Sequence, residues 1–186
     1  IAVAQTTLIA PRNKTRAEGE TVNIEAAHLA GAVVVGVGAT LFMDIWALFA
    51  QRAFGIPPAN YCLVGRWICY MPDGKFVHDS IAAAPLKHAE CAVGWLAHYV
   101  VGVLYALTLV ATVSGGWLAQ PTLFPAVVFG VVSVLVPYLI MQPSFGLGIA
   151  GAKAPQPAQV RLRSLMAHTV FGVGLYIGGV AVSHVL

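Results

Sequence analysis

Residues 29–50 read "LAGAVVVGVGATLFMDIWALFA". This stretch decides the fold. It holds no Lys, Arg or Glu, and its one charged residue is Asp44. An α-helix needs about 20 apolar residues to cross about 30 Å of hydrocarbon. Three further runs have the same character: about 92–113 "AVGWLAHYVVGVLYALTLVATV", about 122–141 "TLFPAVVFGVVSVLVPYLIM" and about 164–185 "SLMAHTVFGVGLYIGGVAVSHV". A buried helix of a soluble protein is the competing reading, but such helices seldom run this long without charge. No run alternates with period two, which argues against a β-barrel. The pattern predicts an all-α membrane protein, a four-helix transmembrane bundle.

Composition points the same way. The chain has 186 residues, 59% hydrophobic and 9% charged. A soluble domain carries about 25% charged residues, so this chain cannot cover a globule with polar surface. Its expected partner is the lipid bilayer. The formal charge of +3 is too small and dispersed for nucleic-acid binding. Three cysteines, none in a CxxC, give no disulfide framework. Residues 1–21, "IAVAQTTLIAPRNKTRAEGET", differ in composition from the rest. Their apolar opening is too short to span and follows no basic segment, unlike a signal peptide. They are expected to be a disordered or non-native tail, with residues 22–186 forming one transmembrane domain.

The connections are unequal. A turn without charge, "SGGWLAQP", joins spans two and three. A Gly- and Pro-rich segment joins spans three and four. Spans one and two are joined by a long loop, about 53–91, with its own apolar stretch "NYCLVGRWICYM". Tyr61, Trp67 and Tyr70 there suit a membrane–water boundary. A short interfacial helix or re-entrant flap is expected, or a loop folded over the helix ends. Arg52, Arg66, Lys75, Lys87, Lys153, Arg161 and Arg163 all fall on one side of the spans. The positive-inside rule makes loops 53–91 and 142–163 cytoplasmic and both termini external. Arg12, Lys14 and Arg16 in the tail argue mildly the other way. On the cytoplasmic side Cys62, Cys69 and Cys91 would stay reduced.

Strongly polar side chains within the spans are few: Asp44, His98, His168 and, near a boundary, Gln142. Asp44 lies eight residues before Arg52, His98 eight after Glu90 and His168 five after Arg163. At 1.5 Å per residue these depths are roughly 8–12 Å from the basic border, which predicts one polar layer. Residues four apart share a helix face. Asp44 then lines up with Gly36 and Thr40, His98 with Gly94 and Gly102, and His168 with Ser164 and Gly172. Such small-residue stripes let membrane helices approach closely. Facing lipid would cost an ionised side chain about 2.5–3.5 kcal/mol. Asp44, His98 and His168 are therefore expected to face inward.

Several readings of that layer stand open. It can simply tie helices together, making the protein a structural or accessory membrane subunit. It can bind a proton or cation in a small transport protein, since histidine titrates near neutrality. Asp44, His98 and His168, with Gln142 or water as a fourth ligand, also suit a divalent transition metal. Bis-histidine haem between spans two and four is geometrically allowed, although Asp44 would then lie beside the macrocycle. No P-loop, GxSxG, HExxH or dinucleotide fingerprint is present, so no catalytic residue is assigned. Pro137 and Pro143 interrupt span three, which favours a cavity at its cytoplasmic end. A glycine-lined helix face suits pairing of two copies or entry into a larger membrane complex.

"GATLFMDIW", "GRWICYMPDGKFVH", "HAECAVGWLAHY", "MQPSFGLGIA" and "SLMAHTVFGVGLY" together resemble the membrane proteins catalogued as domain of unknown function 2938. The resemblance covers about residues 23–180, leaving the tail outside. It implies a multi-span protein of the bacterial inner membrane and transfers no catalytic or binding residue. A departure at "AGAKAPQP", in the last basic loop, leaves the polar layer untouched.

Overall fold

A computed structural model describes residues 14–113 and 116–185, with side chains from residue 26 onward. Helix α1 runs Lys14–Phe54, α2 Tyr61–Tyr70 and α3 Glu90–Thr112. The third span is α4, Leu123–Ser133, continued by a π-helical stretch, Pro137–Met141, and a last turn, α5, Gln142–Ser144. Helix α6 runs Pro157–Ser183. Ala26–Phe54, Glu90–Thr112, Leu123–Ser144 and Pro157–Ser183 are each long and apolar enough to cross a membrane. No strand occurs among the described residues. The protein is an all-α, four-helix transmembrane bundle with a long loop between its first two spans.

The tail expected over residues 1–21 falls largely on residues outside those described. From Lys14 onward the chain is helical and continuous with span one.

Small residues set the helix crossings. Helix α1 packs between α3 and α6, and α4 packs on α6. A Cβ placed on Gly36 would lie 2.6 Å from the Val103 Cα, so α1 and α3 meet backbone to backbone. Gly130 of α4 and Gly172 of α6 meet in the same way. Between these crossings lies a core of Val35, Ala39, Ala106, Leu109, Phe171 and Leu175. Large apolar side chains such as Leu41, Ile45, Leu96, Leu104 and Leu139 are exposed on the outside. A helix apolar all round belongs in lipid or a large core. Helices α3 and α4 touch least of the adjacent pairs. Tyr105 spans that seam: its Oη donates to the Ser133 carbonyl at 3.4 Å, and its ring meets Phe129 and Phe171.

Proline explains the irregular third span. Pro137 has no N–H to continue the ladder, and the Gln142 N–H instead reaches back to the Pro137 carbonyl, a π-type bond.

The 55–89 loop is a folded cap. Asn60 starts α2 by accepting the Cys62 N–H at 3.1 Å. Tyr70, Ile81 and Phe145 form a second small core with Trp67 and Met141 around it. Two backbone bonds, His78 N to Ser144 O at 2.9 Å and Ile81 N to Phe145 O at 3.2 Å, sew the loop to the end of span three. Arg66 holds the centre. Its Nε and one terminal nitrogen bind Glu90 at 2.8 and 2.7 Å, and the other terminal nitrogen donates to the carbonyls of Ile81, Ala82 and Ala84. The Glu90 hydrogen bond holds the Arg66 pKa above its ordinary value, against burial.

The cysteine reading needs correcting. Cys62 and Cys91 are joined as a disulfide, and Cys69 is free. Gly65 and Gly94 have no Cβ, so the backbones of α2 and α3 approach within bridging distance. Spacing in the chain carries no sign of this, because 29 positions of sequence separate the partners.

Candidate functional site

Among the described residues the candidate polar side chains bond in two clusters, with no hydrogen bond between His98 and His168. In the first, Asp44 on α1 faces His98 on α3, with Oδ1 3.0 Å from Nε2. The other carboxylate oxygen accepts from the Tyr99 Oη at 3.0 Å. The His98 side chain is 8% exposed and that of Asp44 18%. Local sequence explains the pairing. Gly36 and Gly102 bring α1 against α3, and Asp44 and His98 lie on the same helix faces as those glycines, two turns and one turn away.

An aromatic wall completes this cluster. The Tyr61 ring stacks on His98 with centroids 3.9 Å apart and planes 23° apart. Trp95 and Tyr99 meet the imidazole edge-on at 5.8 and 5.4 Å. Tyr61 belongs to the cap, so α2 covers the imidazole from outside the bundle. Burial, and then the Asp44 carboxylate, push the Tyr61 phenol pKa up. Tyr61 therefore stays neutral near neutral pH. An ionised Asp44 only accepts hydrogen bonds, so the proton between it and His98 rests on Nε2.

The second cluster lies between α4 and α6. His168 Nδ1 is 2.7 Å from the Ser133 Oγ. The Ser133 hydroxyl also donates to the Gly130 carbonyl at 2.6 Å. A serine has one hydroxyl proton, so His168 Nδ1 must be the donor to Oγ. The Tyr105 ring lies 6.5 Å from the His168 ring. Tyr105 is seven positions beyond His98, about 10 Å further along α3. One helix thus touches both imidazoles.

Gln142 joins neither imidazole. It is 4% exposed, donates to the Ser164 Oγ at 3.2 Å, and leaves its Oε1 without a partner. Ser164 precedes His168 by one turn, so this contact extends the second cluster toward the basic side. Among the described residues no three His, Cys, Asp or Glu side chains gather closely enough to hold a metal ion.

Sequence reasoning missed Tyr99, Ser133 and Tyr61 as partners. Tyr99 adjoins His98 in the chain, and Tyr61 was recognised only as a boundary residue. Ser133 carries no signal, since a serine in an apolar helix commonly bonds its own backbone.

A family model described as "Protein of unknown function (DUF2938)" matches residues 33–182. The chain belongs to this family. The DUF2938 match contains both clusters, the cap and the disulfide. No curated protein and no solved structure matches the chain. The chemistry of this DUF2938 protein therefore rests on its own residues.

Proposed function

We propose that this protein is a small transport or permeation protein, with Asp44 and His98 as its protonatable or cation-binding pair. The observation that carries the reading is the 3.0 Å contact between Asp44 and His98 inside an apolar bundle. Ionisable groups at such depth are expensive and mark ion or proton pathways more often than packing contacts. Tyr99 holds the second carboxylate oxygen, which orients the first toward the imidazole. His168 and Ser133, linked to α3 through Tyr105, form the next polar step into the bundle. Gln142 and Ser164 continue it toward the basic face.

The bilayer is the bacterial inner membrane, and the basic loops, 53–91 and 142–163, face the cytoplasm. The one-sided placement of Lys and Arg supports this orientation.

Proteoliposomes with a trapped pH-sensitive dye test the reading. Under an imposed pH gradient, with and without a potassium gradient, the wild-type protein accelerates dye response over empty vesicles. Asp44→Asn keeps the shape and one hydrogen bond but removes the charge, and it returns the rate to background. Equal rates for wild type and variant would sink the proposal.

A second reading is favoured by the engagement of Asp44, each of whose oxygens accepts a hydrogen bond from α3. In it the protein is a structural or accessory subunit, and the pair only ties α1 to α3. Wild-type vesicles would then show no flux, and Asp44→Asn would lower only thermal stability.

A further inference from the structure

Helix α2 is pinned to α3 at two unlike points. At its inner end Cys62 is covalently joined to Cys91. One turn further along, Arg66 grips Glu90 through two hydrogen bonds and three loop carbonyls through the rest. The residue beside the disulfide is Tyr61, whose ring lies flat on His98. The covalent pin therefore sits next to the lid of the Asp44–His98 pair. The polar pin sits one turn further along α2, on Glu90, the neighbour of Cys91 at the start of α3. Cutting the first leaves the second intact, so α2 stays docked at Arg66 while its first turn is held only by packing on Gly94 and Trp95.

From this geometry we infer that Cys62 and Cys91 form a reversible dithiol–disulfide latch that controls access to His98. The inference rests on the proposed orientation, which places both cysteines at the cytoplasmic face. Thiol buffers there keep cysteines reduced, and the disulfides that do form are transient and redox-sensing. The chemistry is thiol–disulfide exchange with a low-molecular-weight disulfide of the glutathione type. A thiolate from one of the two cysteines attacks the small disulfide, and one small thiol leaves. The second cysteine then displaces the other small thiol from the mixed disulfide. Two protein thiols lose two protons and two electrons, and one small disulfide becomes two small thiols. The oxidised form holds Tyr61 over the imidazole. The reduced form lets the first turn of α2 lift.

The test uses the full-length protein in vesicles, in a Cys69→Ser background so that no third thiol exchanges. Maleimide gel shifts in reduced and oxidised glutathione buffers report the latch. Diethyl pyrocarbonate labelling, read by peptide mass spectrometry, reports the exposure of each imidazole. The expected result is reversible bridging, and several-fold faster labelling of His98 in the reduced form with His168 unchanged. A protein carrying both Cys62→Ser and Cys91→Ser labels at the fast rate in either buffer. Equal His98 labelling in the two redox forms overturns the latch. So does a rise at both histidines, which would signal general loosening. So does a bridge that stays closed in growing cells and resists glutathione, as expected of a fixed bridge in an oxidising compartment. Labelling needs no ion flux. If Asp44→Asn leaves flux unchanged while His98 labelling still follows the redox state, the transport reading falls and the latch stands.

Discussion

His98 and His168 are imidazoles on two helices of one bundle, yet they are built in opposite ways. His98 draws its neighbours from α1, α2 and α3, and one of them is a carboxylate. His168 is held by a serine whose single proton is already given to a carbonyl. The first arrangement can balance a positive charge on the ring. The second fixes which nitrogen carries the proton and supplies no counter-charge. The surroundings differ as well. His98 is roofed by an element outside the bundle, while His168 is enclosed by spans alone. Partner chemistry and cover, rather than residue type, set what each imidazole can do.

The comparison is broken most severely at Arg66. Arg66→Ala leaves Glu90 with only the Lys87 N–H and takes a donor from the carbonyls of Ile81, Ala82 and Ala84. Removing one member of a buried pair costs about 3–5 kcal/mol. This pair lies under one loop rather than deep in the bundle, so a loss of about 3 kcal/mol in detergent unfolding is expected. Labelling should rise at His98 and stay constant at His168. Equal rises would show that cap and bundle unfold together.

Next in size is Gly94→Ala, which sets a methyl against the Tyr61 carbonyl. Overpacking of this kind costs about 1–3 kcal/mol. It should displace Tyr61 and quench its stacking on His98, visible as a shifted His98 ring resonance.

Ser133→Ala sharpens the comparison from the other side. It removes the His168 partner and should cost about 0.6 kcal/mol, the average for such contacts between membrane helices. Flux should fall in part, since His168 is the proposed next polar step; full retention would make the contact packing alone. A loss of flux equal to that of Asp44→Asn would place both imidazoles on one path.

The smallest effect belongs to the exposed pair Lys87–Asp73, 2.6 Å apart and touching neither histidine. The Lys87 hydrogen bond holds the Asp73 carboxyl below its usual range. Its contribution is present above the ordinary carboxylate pKa and is lost as pH falls through the lowered value. Lys87→Met should move the Asp73 titration back up, seen by NMR, with stability scarcely changed because solvent screens the pair.

Much of the fold could be read from the chain. Four long apolar runs, charged only at Asp44, marked the spans, since hydrocarbon tolerates only helices of that length with their backbone bonds closed internally. The small stripes through Gly36, Gly102 and Gly172 were legible, and each lies at a helix crossing. The stretch around "NYCLVGRWICYM" read equally as a short interfacial helix, a re-entrant flap or a loop over the helix ends, and it is helix α2. The depths of Asp44 and His98 agreed because both were counted from one border. Periodicity gives the depth and face of a side chain on its own helix. It does not say which helix lies opposite, and that choice comes from every crossing in the bundle at once. Only the assembled structure therefore paired Asp44 with His98 and Tyr99, gave His168 to Ser133, laid Tyr61 over the imidazole, and brought Cys62 to Cys91.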